Sequence, residues 1–163
     1  MAGIEAAVAN AKSLGAEAGQ ELKMAVSASL ETSVKEVGGV AQLNVDAVAL
    51  TMNDGIITSC VIDSLPAKVD FAADGQITFD LTAPVKTKSE LGYDYGMVAY
   101  KVSELEWFEQ VSNFCTYVTG KTPAQVAGIA VTETTAPVDA DLASGCTIAI
   151  GGFQALIQKA AQE

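Results

Sequence analysis

Between Gln42 and Leu81 the apolar residues tend to fall at every second position, and two Asp-Gly pairs interrupt the alternation. Leu43, Val45, Ala47 and Ala49 alternate with Gln42, Asn44 and Asp46; Asn53-Asp54-Gly55 follows, leading into Ile56–Ile62. Val69 and Phe71 precede Ala73-Asp74-Gly75, after which Ile77, Phe79 and Leu81 alternate with Gln76, Thr78 and Asp80. A period of two puts one set of side chains on one face of a strand, and Asp-Gly supplies the positive φ values of a tight hairpin turn. With Met24–Leu30 as a further strand, the pattern predicts an antiparallel meander of four or five strands.

The flanking segments carry a different period. Ile4, Val8, Ala11 and Leu14 form one stripe in the Ala-rich stretch 3–18, which predicts a helix loosened at Gly15 and Gly19. Val37-Gly38-Gly39 marks a break, and Ala83 to Tyr100 has no clear periodicity. Ser103-Glu104-Leu105-Glu106 has the form of a capping box, opening a helix whose Trp107, Phe108, Val111, Phe114, Cys115 and Val118 share a broad apolar face and which Gly120 ends. Thr122-Pro123-Ala124-Gln125 is a second box, with Pro at the first helical position and a stop by Gly128. Ile129–Thr132 reads as one more short strand, and Thr134 to Ala140 as a loop. The fold class is α+β: an antiparallel meander packed against helices, with an extra helix at the N-terminus.

The chain has 163 residues, half of them apolar, enough for one well-buried core. Twenty acidic residues face nine basic ones, all lysine, for a net charge of −11, and there is no His. A nucleic-acid partner is not expected, because no basic stripe exists to meet a phosphate backbone. The missing His removes His-dependent zinc hydrolysis and the Ser-His-Asp and Cys-His mechanisms. No paired carboxylates are spaced for general acid–base work, and the Asp-rich turns lack calcium-loop spacing, so the reading leans away from an enzyme and gives no catalytic or metal-ligating residues. Cys60, Cys115 and Cys146 follow no C-x-x-C spacing and read as buried thiols, one disulfide plus a free thiol being the other arrangement. No apolar run reaches a membrane span.

The last segment, Gly152–Ala160, repeats Gly3–Ala11 in register: Phe153 stands with Ile4, Gln154 with Glu5, Ile157 with Val8 and Ala160 with Ala11. Chance likeness between Ala-rich helices accounts for this, or residues 1–20 resemble the end of a preceding repeat and 21–163 form one further module. An apolar helix without its own module must pack on its own domain or on a neighbouring chain, which suggests self-association through helices 3–18 and 150–162.

Candidate site residues lie just before that last helix. In Asp141-Leu142-Ala143-Ser144-Gly145-Cys146-Thr147, a hydroxyl, a glycine and a helix start make a seat for phosphate, since orphan N–H groups favour anions and a Ser or Thr can carry phosphate covalently. The same residues also spell an ordinary loop with an N-cap. Asp141-x-x-Ser144-Gly145-Cys146-Thr147 resembles the D-x-x-[S/T]-G-A-[T/S] motif of the FMN-binding-domain family, small exported α+β flavoproteins of bacterial electron transport. Lys86-Thr87-Lys88-Ser89-Glu90-Leu91-Gly92-x-x-Tyr95-Gly96-Met97, Trp107-x-x-Gln110 and Val118-x-Gly120-Lys121-Thr122 resemble strings in uncharacterised, often tandemly repeated, exported or lipoprotein-type proteins of Gram-positive anaerobes. Those look like divergent members of the same family, and the likeness covers roughly residues 22–163.

The resemblance implies FMN joined through its phosphate to Thr147 by a flavin transferase, with Asp141, Ser144, Gly145 and Cys146 around it, and a cell-surface or extracellular electron carrier with redox partners. The isoalloxazine ring would lie near Tyr93, Tyr95 or Trp107, each of which also reads as a loop anchor or core residue. Lys86 and Lys88 would neutralise the phosphate or solvate their loop. The chain departs from the family pattern at Cys146, where Ala is usual, and lacks the family's His-containing segment. The alternative reading is therefore a flavin-free structural or interaction module of the cell envelope.

Overall fold

The computed structural model describes residues 2–162 apart from 10, 12, 32 and 35–37. Helix α1 spans Ala2–Ala9, strand β1 Glu21–Ser29, β2 Val40–Asn53 and β3 Ile56–Asp70; then come α2 (Lys88–Leu91), a 3-10 turn (Gly92–Tyr95), α3 (Trp107–Val118), α4 (Pro123–Ala127), α5 (Ala140–Ala143) and α6 (Gly151–Gln162). The architecture is α+β, with the three strands antiparallel in the order β1-β2-β3. Val37 of the expected break, and Asn10 and Lys12 of the expected N-terminal helix, lie outside the described residues.

The long hairpin β2–β3 forms where Asp54 and Gly55 take φ values of 50° and 78°, the left-handed pair a two-residue turn needs. Thr58 has no partner opposite it, so the register shifts there, and the hydroxyls of Thr51, Thr58 and Ser59 gather around the irregularity at 2.6–2.8 Å. Pro66 is tolerated because β3 is an edge strand.

The sheet buries one face. Ala25, Val48 and Ile62 stand side by side in the register, as do Leu50 and Cys60, and all are buried beneath the helices. In β2 the core face is therefore the even-numbered one, Val48, Leu50 and Met52, rather than the Leu43–Ala49 set. Leu43 is exposed, and Val45, Ala47 and Ala49 are half-buried on the opposite face. Both faces of β2 are apolar between Ala47 and Leu50, so alternation alone leaves the buried side undecided. Helix α3 lies over β3, and α6 over β1 and β2 with α4 against it. Phe114, Val118, Val126, Ile150 and Ile157 are fully buried between the layers, and Phe153 tilts against Phe114 with ring centroids 5.8 Å apart.

The sheet has three strands, not four or five. After the expected turn at Gly75, the return segment makes only an isolated Phe71–Ile77 bridge, and Ile77 and Leu81 are exposed with no layer to cover them. Ile129–Thr132 likewise reduces to a single bridge, Val131–Pro137. The capping box expected at Ser103 sits three residues later: Glu106 is the N-cap of α3, and Glu109 accepts its backbone N–H at 2.8 Å. The second box is as expected, with Thr122 and Gln125 capping each other ahead of α4. The segment 83–100 is less irregular than its sequence: Thr87 and Glu90 cap each other to start α2.

Helix α6 is held by polar contacts as well as by burial. Gln154 donates to the carbonyls of Val126 at 2.8 Å and Ile129 at 3.0 Å, Gln158 donates to Pro123 O, and Lys159 donates to Val26 O at 2.9 Å. Phe114→Ala should cost about 3–5 kcal/mol by creating a cavity at the layer interface. Ile77→Ala, in the segment that forms no strand, should stay within about 0.5 kcal/mol of the parent. Urea denaturation of both variants separates these outcomes.

Candidate functional site

On the helix-covered face of β2, the residues change from Met52, Leu50 and Val48 to Asp46, Asn44 and Gln42. A cleft of about 580 Å³ opens where the apolar run ends, lined by Asp46, Lys88, Tyr95, Met97, Trp107 and the first turn of α6, with Ile148 and Ala149 at its edge. That volume falls within the ~300–1,000 Å³ typical of small-molecule sites. The ammonium of Lys88 lies 5.0 Å from the Trp107 ring centroid and 5.3 Å from that of Tyr95, cation–π contacts that hold it between two aromatics. Tyr100 and Val102, 82 % and 71 % exposed, form an apolar rim.

Two buried polar side chains on α3 hold this rim. Glu106 accepts the backbone N–H groups of Met97 and Val98, both at 3.0 Å. Gln110 donates through Nε2 to Ser103 Oγ and to Leu105 O, each at 3.0 Å. Its Oε1 faces the other way and accepts both Thr147 N–H at 2.8 Å and Thr147 Oγ1–H at 3.0 Å. Each end of the amide is engaged, so its orientation is set by its partners. Thr147 itself is exposed, with its hydroxyl proton directed to Gln110.

The other motif residues divide. Asp141 and Ser144 are exposed on α5 and its C-cap, with Ser144 Oγ donating to Asp141 O at 2.8 Å. Together with Gly145 they line a second depression of about 350 Å³ beside Asn113 and Tyr117. Asn113 donates to Gly145 O at 2.8 Å, and a Cβ at Gly145 would stand 2.7 Å from the same amide, so Gly145 lets the loop lie against α3. Cys146 is fully buried in the core. The structure thus places Thr147 next to Ile148 and Ala149 of the cleft, while Asp141, Ser144 and Gly145 face the other depression. Of the aromatics, Tyr95 and Trp107 line the cleft; Tyr93 instead packs edge-on against Phe108 and donates to Glu109 at 3.3 Å. Lys88 lines the cleft and Lys86 is exposed outside it.

Glu106 and Gln110 are the site residues that the sequence pattern missed. In the sequence Glu106 reads as the acid of a capping box opened by Ser103, and Gln110 stands only within the Trp107-x-x-Gln110 string, so the pattern gives neither a role at the site. Their signal was that a polar residue interrupts the buried stripe of α3 one turn after the N-cap, which requires a partner.

Cys60, Cys115 and Cys146 are free and buried. Burial pushes the Cys146 thiol up from its ordinary 9.0 to about 11. A hydrogen bond with Cys115, together with burial, pushes Cys60 up as well. Among the described residues, no helix is long and apolar enough to cross a membrane.

Fold and site together define a small α+β domain with a single antiparallel three-stranded sheet, one helical layer and an aromatic cleft. No protein-family model matches the chain, and no curated protein does. The chain is similar to a protein from Clostridium thermocellum whose structure was solved by solution NMR, at 22% identity over 88% of this chain and 90% of that one, with a TM-score of 0.43.

Glu106→Gln places an NH₂ where one of two N–H donors needs an acceptor. The variant should lose on the order of 3 kcal/mol and show faster amide exchange at Met97 and Val98. The raised thiol of Cys146 stabilises the fold below its unfolded pKa, and that stability is lost as pH rises from about 9 toward about 11. Denaturation midpoints should fall across that window, less steeply in Cys146→Ala.

Proposed function

We propose that the protein is a flavin-carrying electron-transfer module of the bacterial cell envelope, with FMN joined through its phosphate to Thr147. The observation that carries this reading is the Gln110–Thr147 pair: a hydroxyl on an exposed residue, oriented by a buried amide, one residue before Ile148 and Ala149 of a space of ligand size. The residues present fit the group. Thr147 Oγ1 would carry the phosphate, and Lys88 offers a cation. Tyr95, half-buried in the cleft, offers a ring surface, and Gly152 at the start of α6 leaves open space at a helix N-terminus that favours anions. FMN, when bound, supplies one- and two-electron transfer. The chain's own residues would hold and orient it, and Glu106 and Gln110 would keep the rim in place. The motif's Asp141, Ser144 and Gly145 would then act by shaping the loop, through the Ser144–Asp141 and Asn113–Gly145 bonds. A flavin transferase and external redox partners complete the proposal.

A second reading, a flavin-free module that assembles with copies of itself, is favoured by α1, whose Ile4 and Val8 are 73 % and 72 % exposed. In α6 the corresponding Phe153 and Ile157 are buried in their own domain, so only α1 is free to act between chains.

Co-expression with a flavin transferase should give an adduct of one FMN less water by intact mass, together with visible absorption. Thr147→Ala should abolish the adduct and Thr147→Ser should retain it. Gln110→Leu should slow its formation at least tenfold while the far-UV spectrum is kept. An unmodified, colourless wild-type chain under conditions that flavinylate a positive control would end this reading.

A further inference from the structure

The face of the sheet turned away from the helices is apolar. Ala47 and Ala49 of β2 form a shallow floor, with Leu22, Met24 and Val26 of β1 on one side and Val61 of β3 on the other. Leu22 is 66 % and Met24 56 % exposed, where an antiparallel sheet with one wet face ordinarily alternates to polar residues. The charged residue on this face of β3, Asp63, turns its carboxylate to the backbone N–H groups of Ser64 and Ser89 at the edge and leaves the floor apolar.

Helix α1 has the complementary defect. It is eight residues long, too short to be stable in isolation, and shows Ile4 and Val8 to solvent. In the register that aligns Gly3–Ala11 with Gly152–Ala160, Ile4 and Val8 occupy the positions of Phe153 and Ile157. Those two residues are buried in α6, which packs on the opposite face of β1 and β2. The helix thus carries, in smaller side chains, the stripe that already packs on this sheet, and the alanine floor has room for a close helix.

We propose that the outer face of the sheet is the docking surface for α1 of a second copy of this chain, exchanged reciprocally between two protomers. With Leu22, Met24, Val26 and Val61 66 %, 56 %, 48 % and 42 % exposed, the walls of the groove amount to roughly 360 Å², within the range of a monomer's largest apolar patch. Each protomer contributes both its groove and its own helix stripe, with Ile4 and Val8 73 % and 72 % exposed, which together come to roughly 600 Å² per partner, the lower end of a stable interface at ~1,200 Å² in total. This inference rests on the second reading above and names its surface.

The test is sedimentation equilibrium of the intact chain with Val8→Glu and Met24→Glu, both exposed positions whose substitution leaves the core untouched, folding being checked by circular dichroism. The wild type should weigh twice its 16.8 kDa, each variant should be monomeric, and an equimolar mixture of the two should regain association at least tenfold weaker than the wild type. That last result follows because the mixture restores one of the two helix–groove contacts. A dimer broken by Met24→Glu but not by Val8→Glu would mean sheet-to-sheet pairing and would overturn the proposal. A dimer broken by Val8→Glu alone would keep the assembly reading and remove this surface. A wild type that is monomeric at high concentration would end both.

Discussion

Glu106 and Gln110 sit at the start of one helix and reach the loop that precedes it on one side and Thr147, 37 residues away, on the other. The carboxylate of Glu106 gathers the N–H groups of Met97 and Val98, and the amide of Gln110 joins Ser103 and Leu105 on one side to Thr147 on the other. Charge-assisted bonds from backbone N–H to a buried carboxylate are among the stronger polar contacts a fold can make, and leaving either partner alone is costly. The cleft exists because these bonds hold the 96–103 loop off the sheet and the 147–149 segment beside it.

Polar satisfaction extends through the rest of the core. Ser59 and Gln154 are buried with side-chain partners in place, and no fully buried side-chain nitrogen or oxygen among the described residues lacks one. Gln154 deserves comparison with Gln110. Each is an amide on the buried face of a helix, each bonds at least one backbone carbonyl of a neighbouring segment, and together they tie α4 to α6 and α5–α6 to α3. These directional bonds set α3, α4 and α6 against one another, and the Lys159–Val26 bond ties α6 to β1.

The sheet's two faces show how much one strand pattern leaves open. Alternation in β2 correctly marked a strand, and Asp54-Gly55 marked its hairpin, because both depend on the local backbone. Which face is buried was not legible, since Val48 and Leu50 on one side and Val45, Ala47 and Ala49 on the other are all apolar. The helical layer decides it. The same layer left Ile77 and Leu81 uncovered, so a segment with a strand's alternation remained outside the sheet.

By itself the sequence determined the elements whose stability is local: the hairpin turn, the mutual caps at Thr122–Gln125, and the apolar stripes of α3 and α6. It also marked Thr147 as a hydroxyl on a loop before a helix. Only the tertiary structure decided that Gln110 orients that hydroxyl, that Asp141, Ser144 and Gly145 turn toward Asn113 instead of the cleft, and that Lys88 lies between Tyr95 and Trp107. The physical reason is range. Turns and caps are set by neighbours within four residues, whereas the Gln110–Thr147 contact spans 37 residues and forms only when α3 and the α6 loop have been brought together by a core that both help to build.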